Sequence, residues 1–101
     1  MNTKGEDFVK EVVAIDVGSV RVLEELHSLL KRELGFPNYY GMNWDSFWDA
    51  ITGLVEMPDT LVFIGWKNLK EQLPEDSQIM VSLLEKYNEQ FSSWKCNVLF
   101  K

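Results

Sequence analysis

Asp45 and Asp49 stand four residues apart, among Tyr39, Tyr40, Asn43, Trp44, Trp48, Thr52 and Gly53. Two carboxylates one helical turn apart could act as a general acid and base on a glycosidic or phosphoester bond. They could share a divalent cation. They could also meet a cationic partner. The first two uses need companions that this chain does not offer. No further ligands stand at metal spacing, and no phosphate-loop or nucleophile motif occurs, so neither a catalytic residue nor a metal or other cofactor is expected. His27, the single histidine, lies between core leucines and borders the core. Cys96 sits at the edge of an apolar run, where a cysteine acts as an inert small hydrophobe. What is left is an acidic and aromatic surface, with the residue types that anchor protein interfaces.

Charge supports a basic partner. The net charge is −6, which argues against nucleic acid, whose phosphates require Lys and Arg. No basic residue stands between Arg32 and Lys67, while Glu33, Asp45, Asp49, Glu56 and Asp59 fall in that interval. Such a patch speeds encounter with a cation, and salt weakens the effect. An ordinary solvated acidic face would have the same composition. No apolar run approaches the roughly 18 residues needed to cross a membrane. The polar start Met1-Asn2-Thr3-Lys4-Gly5-Glu6-Asp7 lacks the basic-then-apolar order of a signal peptide. One cysteine agrees with a reducing compartment, so a cytoplasmic protein is expected.

The elements that must position the acidic motif can be read from periodicity. The chain has 101 residues and is 46% hydrophobic, enough for one domain with a real core. Val12 to Val17 reads as a buried strand, closed by Gly18-Ser19. Leu23, Leu26, Leu29, Leu30 and Leu34 define an amphipathic helix from about Val20 to Leu34, with Gly35 as its C-cap. Asn43 is the expected N-cap of a second helix running to about Val55. Trp44, Phe47, Trp48, Ile51 and Val55 share one face of that helix, and Asp45, Asp49, Thr52 and Glu56 form a stripe on the next. Two features of this helix are locally unfavourable. The like-charged i,i+4 aspartates repel by a few tenths of a kcal/mol. Gly53 inside the helix costs about 0.5–1 kcal/mol relative to alanine, unless another surface approaches its backbone.

After the turn at Pro58-Asp59, Leu61 to Ile64 reads as a second buried strand. A short helix over about Lys67 to Gln72 follows, then a longer one from Pro74. Met80, Leu83, Leu84, Tyr87 and Phe91 form its core face. Cys96 to Phe100 is the third strand. Strands alternating with helices predict an α/β fold, a three-stranded parallel sheet packed by three to four helices.

The stretch Leu26-His27-Ser28-Leu29-Leu30-Lys31-Arg32-Glu33-Leu34, followed by Pro37 to Gly53, resembles the barstar family. These are intracellular inhibitors of the secreted ribonuclease barnase. The pattern Tyr-Tyr-Gly-x-Asn-x-Asp-x-x-Trp-Asp-x-x-Thr-Gly, from Tyr39 to Gly53, carries the resemblance. It covers residues 11–101, strongly through Val55 and loosely after Pro58, and leaves residues 1–10 as a flexible extension. It implies a barstar-like fold and a partner-binding surface of Tyr39, Tyr40, Asn43, Trp44, Asp45, Trp48, Asp49, Thr52 and Gly53. Asp49 would enter the enzyme's phosphate pocket and Asp45 would support it. Tyr39 would stack near the catalytic histidine, and Gly53 would admit the enzyme to the helix backbone. A glutamate on the last helix would add a contact, either Glu89 or Glu85, with Glu89 preferred.

The implied protein is a non-enzymatic monomer when free, with a basic, barnase-like ribonuclease as partner. Trp44 stands where the family has a smaller aliphatic residue, Leu54 where it has a tryptophan, and Met42 where it has an acid. These departures leave open a second reading, a module of the same shape for a different basic toxin or other protein.

Overall fold

The computed structural model describes residues 11–101; the extension expected over residues 1–10 lies outside them. The elements in order are β1 (Val12–Asp16), α1 (Leu23–Leu34), α2 (Trp44–Asp49), β2 (Thr60–Ile64), α3 (Trp66–Gln72), α4 (Pro74–Gln90) and β3 (Asn97–Phe100). α2 runs directly into a π-helical turn over Ala50–Leu54, and a 3₁₀ turn over Ser92–Trp94 precedes β3. The strands form one sheet in the order β1-β2-β3, with both pairings parallel. The register aligns Val13, Leu61 and Val98 in one row and Ile15, Phe63 and Phe100 in another. The expected α/β architecture, a three-stranded parallel sheet packed by four helices, is therefore present.

Local chemistry accounts for the helix ends. α1 begins at Leu23, three residues later than its leucine spacing suggests. The Glu25 carboxylate reaches back to the N–H groups of Arg21 (2.8 Å) and Val22 (3.4 Å) and fixes the start there. Gly35 ends the helix in the left-handed conformation, φ 73°. Pro74 opens α4 at its first position, where a missing N–H costs nothing.

One core unites the helices and one face of the sheet. Leu26, Leu30, Phe47, Ile51, Leu69, Met80 and Leu84 are buried with Val13, Ile15, Leu61 and Phe63. Residues on the opposite sheet face stay in contact with solvent: Val12 is 59%, Ile64 43% and Leu99 37% exposed. The strands are thus half-buried, not fully buried as their apolar runs suggest. Parallel sheets are usually covered on both faces, but here the helices gather on one. Side-chain amides lock the loops. Asn68 donates to the carbonyls of Val17 (2.9 Å) and Val20 (3.0 Å). Asn88 bonds both the carbonyl and the N–H of Cys96, each at 2.8 Å, and so joins α4 to the start of β3. Cys96 is buried and forms no disulfide among the described residues.

Candidate functional site

The loop from Gly35 to Met42 sorts its two tyrosines by a tight turn. The Tyr40 N–H donates to the Pro37 carbonyl at 3.0 Å, and Lys31 Nζ holds the Asn38 carbonyl at 3.3 Å. Tyr39 is thrown outward, 75% exposed, whereas Tyr40 turns in and is 6% exposed. The Tyr40 ring packs on Phe36, centroids 4.7 Å apart, and its hydroxyl pairs with His27 Nδ1 at 2.7 Å. Burial pushes the Tyr40 phenol well above its ordinary range, so it stays protonated. His27 is itself fully buried, deeper than the core border where its leucine neighbours suggest. Burial lowers its pKa from the ordinary 6.5, and the carboxylate of Asp76 partly offsets that. Its Nε2 has no hydrogen-bond partner among the described residues. Trp44 packs over the imidazole at 4.5 Å and donates its indole N–H to Asp76 at 2.9 Å, which fastens the start of α2 to α4.

Three residues set the entry to α2. A Cβ on Gly41 would collide with the Ser46 hydroxyl. Met42 takes a left-handed conformation, φ 58°, uncommon for a residue with a side chain. Asn43 caps the helix as expected: its Oδ1 accepts from the Ser46 N–H at 2.7 Å, and its Nδ2 donates to the Gly41 carbonyl at 3.1 Å. The Asn43 side chain is therefore occupied in holding the loop to the helix. Asp45 lies in the first turn, where the helix dipole favours an anion. At the far end, the Thr52 hydroxyl donates to the Trp48 carbonyl at 2.7 Å. The ladder then widens, and the Val55 N–H reaches the Ala50 carbonyl five residues back at 3.2 Å. Gly53 sits in this widened turn with nothing within 4 Å of a would-be Cβ. It lines an open depression of about 730 Å³ with Arg32, Glu33, Thr52 and Glu56.

The sequence-predicted residues thus fall into three groups. Tyr39, Asn43, Asp45, Asp49 and Gly53 are exposed along the loop, α2 and the surface of its π-helical turn. Trp44, Trp48 and Thr52 are half-buried at its base. Tyr40 lies beneath it and braces the loop without presenting its ring. Neither aspartate has an ion-pair partner among the described residues, where Arg32–Glu33 is the one pair. Glu89 is exposed on α4, while Glu85 lines a groove on the β3 side with Val81, Asn88 and Val98. Besides Asp76 on the Trp44 indole, α4 brings Lys86 against the motif, its Nζ 4.7 Å from the centre of a Trp48 ring. Sequence reasoning missed Lys86 and Asp76. They belong to a stripe of Asp76, Ile79, Leu83 and Lys86 at helical spacing, but spacing alone does not say which element a stripe meets. No group of three or more His, Cys, Asp or Glu able to hold a metal occurs among the described residues. No helix there is long and apolar enough to cross a membrane.

The sequence model of the family described as Barstar (barnase inhibitor) matches residues 10–100. The chain belongs to the barstar family. The chain is also similar to the protein named "Putative ribonuclease inhibitor YrdF" from Bacillus subtilis (strain 168). The two are 48% identical over 50 residues, which are 50% of this chain and 55% of that protein. The chain thus spans about half the length of this curated relative.

Proposed function

We propose that this protein is an inhibitor that binds a basic, barnase-type ribonuclease in the cytoplasm and blocks its active site without catalysing any reaction. The carboxylates of Asp45 and Asp49 take the place of RNA phosphates in the enzyme's cationic pocket. Tyr39 covers the catalytic cleft, and Trp44, Trp48 and Thr52 form the floor of the contact. Asn43 and Tyr40 hold the loop in shape from within. The exposed backbone at Gly53 admits the enzyme closely, and Glu89 adds a charge at the periphery.

The observation that carries this reading is Gly53. Its φ is not in the positive range and no neighbour fills the place of its Cβ, so neither conformation nor internal packing calls for glycine. A glycine in a helical turn beside carboxylates that have no ion-pair partner among the described residues is explained by a partner's close approach. Pre-organised donors on a basic enzyme would repay the repulsion between the aspartates through charge-assisted hydrogen bonds.

The test is calorimetric titration of purified barnase with the wild-type protein and with Asp49→Ala, at low and moderate salt. One-to-one binding that weakens with salt is expected. Asp49→Ala should lose about 2–5 kcal/mol or more, the typical cost of truncating one partner of a buried charge pair, an effect already measured in the barnase–barstar interface itself. Equal binding by the variant would overturn the mechanism.

A further inference from the structure

Lys86 places a positive charge on a surface whose own segment has none. Its ammonium lies 4.7 Å from a Trp48 ring centre, inside the roughly 6 Å over which a ring face attracts a cation. Lys86 is exposed and forms no ion pair among the described residues, so neither Asp45 nor Asp49 neutralises it. The ammonium itself sits over the half-buried indole, on an exposed residue that leaves the charge open to solvent at the foot of α2. Any protein that seats on Asp45 and Asp49 must also accommodate this cation. A uniformly basic cleft would not: a Lys or Arg at that point of its rim would meet a like charge, which disfavours the complex strongly.

We infer that Lys86 is a specificity-determining residue. It selects, among basic ribonucleases, those with a carboxylate at the cleft rim where α4 arrives, and it disfavours those with Arg or Lys there. The inference rests on the inhibitor reading above and adds to it the charge pattern of the accepted partner, basic in the pocket and acidic at one edge.

Barnase serves as the probe. Association rates and dissociation constants would be measured for wild type, Lys86→Met and Lys86→Glu at low and moderate salt, after thermal unfolding shows each variant folded. Lys86→Met keeps an unbranched side chain of similar length beside Trp48 and removes the charge. Against a rim that is basic at this point, Lys86→Glu should bind about tenfold tighter than wild type or better, with Lys86→Met between them. The gain should lie largely in the association rate and shrink with salt. A charge order of the opposite sign, also salt-dependent, would support the inference and mark barnase as an accepted, acidic-rimmed partner. Three affinities within twofold of one another would overturn it. So would equal weakening of both variants with no salt dependence, which would reduce Lys86 to a cover for Trp48. Binding by none of the three would overturn the inhibitor reading itself, and this inference with it.

Discussion

A methyl group added at Gly53 would meet no heavy atom within 4 Å, so the residue's effects on folding and on binding can be separated. Gly53→Ala should stabilise the free protein by about 0.5–1 kcal/mol in urea denaturation, because alanine loses less backbone entropy in a helical turn. The same substitution should weaken capture of barnase in titration. A variant both more stable and an equally good binder would remove the argument for close approach. His27 offers a second test at this scale. Burial lowers its folded-state pKa below the ordinary 6.5, so the unfolded chain binds the extra proton first. Stability is therefore full above the unfolded pKa and falls as pH drops through about 6.5 towards the lower folded value. Wild type should lose stability between pH 7.5 and 5.5 in urea titrations, and His27→Gln should lose much of that dependence. The window lies above the range where most carboxylates titrate.

At the scale of the element, α2 is too short to form alone. Its six α-helical residues and the π-helical turn of five fall short of the roughly 12–15 residues below which isolated helices are marginal. Its geometry is set by the Asn43 cap, the Trp44–Asp76 bond and the burial of Phe47, Ala50 and Ile51. Asn43→Ala should cost about 1 kcal/mol of stability, read by chemical denaturation, through loss of the cap. It should also loosen Tyr39, because the same side chain holds the Gly41 carbonyl. Unchanged stability would mean that the loop is held without the cap. The stripe containing Asp45 and Asp49 is legible from 3.6-residue periodicity. The widening over Ala50–Leu54 is not, because it depends on a change of hydrogen-bond partner and leaves the residue pattern unaltered.

Across the whole molecule, charge and burial divide the labour. With a net charge of −6 and acids on the α2 surface that are unpaired among the described residues, association with a basic nuclease should slow as ionic strength rises through the Debye range. A rate independent of salt would count against electrostatic capture. The one-sided sheet makes a contrasting forecast. Ile15→Ala, on the covered face, should cost about 2–5 kcal/mol. Val12→Thr, on the open face, should stay within about 0.5 kcal/mol. Equal costs would show that the outer face is also covered in solution.

The sequence by itself determined what depends on near neighbours: the α/β alternation, the Asn43 cap, the Gly35 stop, the shared helix face of Asp45 and Asp49, and the family pattern from Tyr39 to Gly53. All but the last follow from hydrogen bonds or side-chain spacing within a few residues, and the last is a resemblance carried by residue identity. The tertiary structure alone decided which groups meet across elements. It sent Tyr40 inward onto His27 and left Tyr39 outside, because the turn at Pro37 points adjacent residues to opposite sides. It left the strands half-buried, because the helices all packed on one face. It brought Lys86 over Trp48 and so put a cation on a surface where the local chain has only acids. No local pattern encodes that contact, because it joins residues on two helices far apart in the chain, brought together only when both bury their apolar faces in the same core.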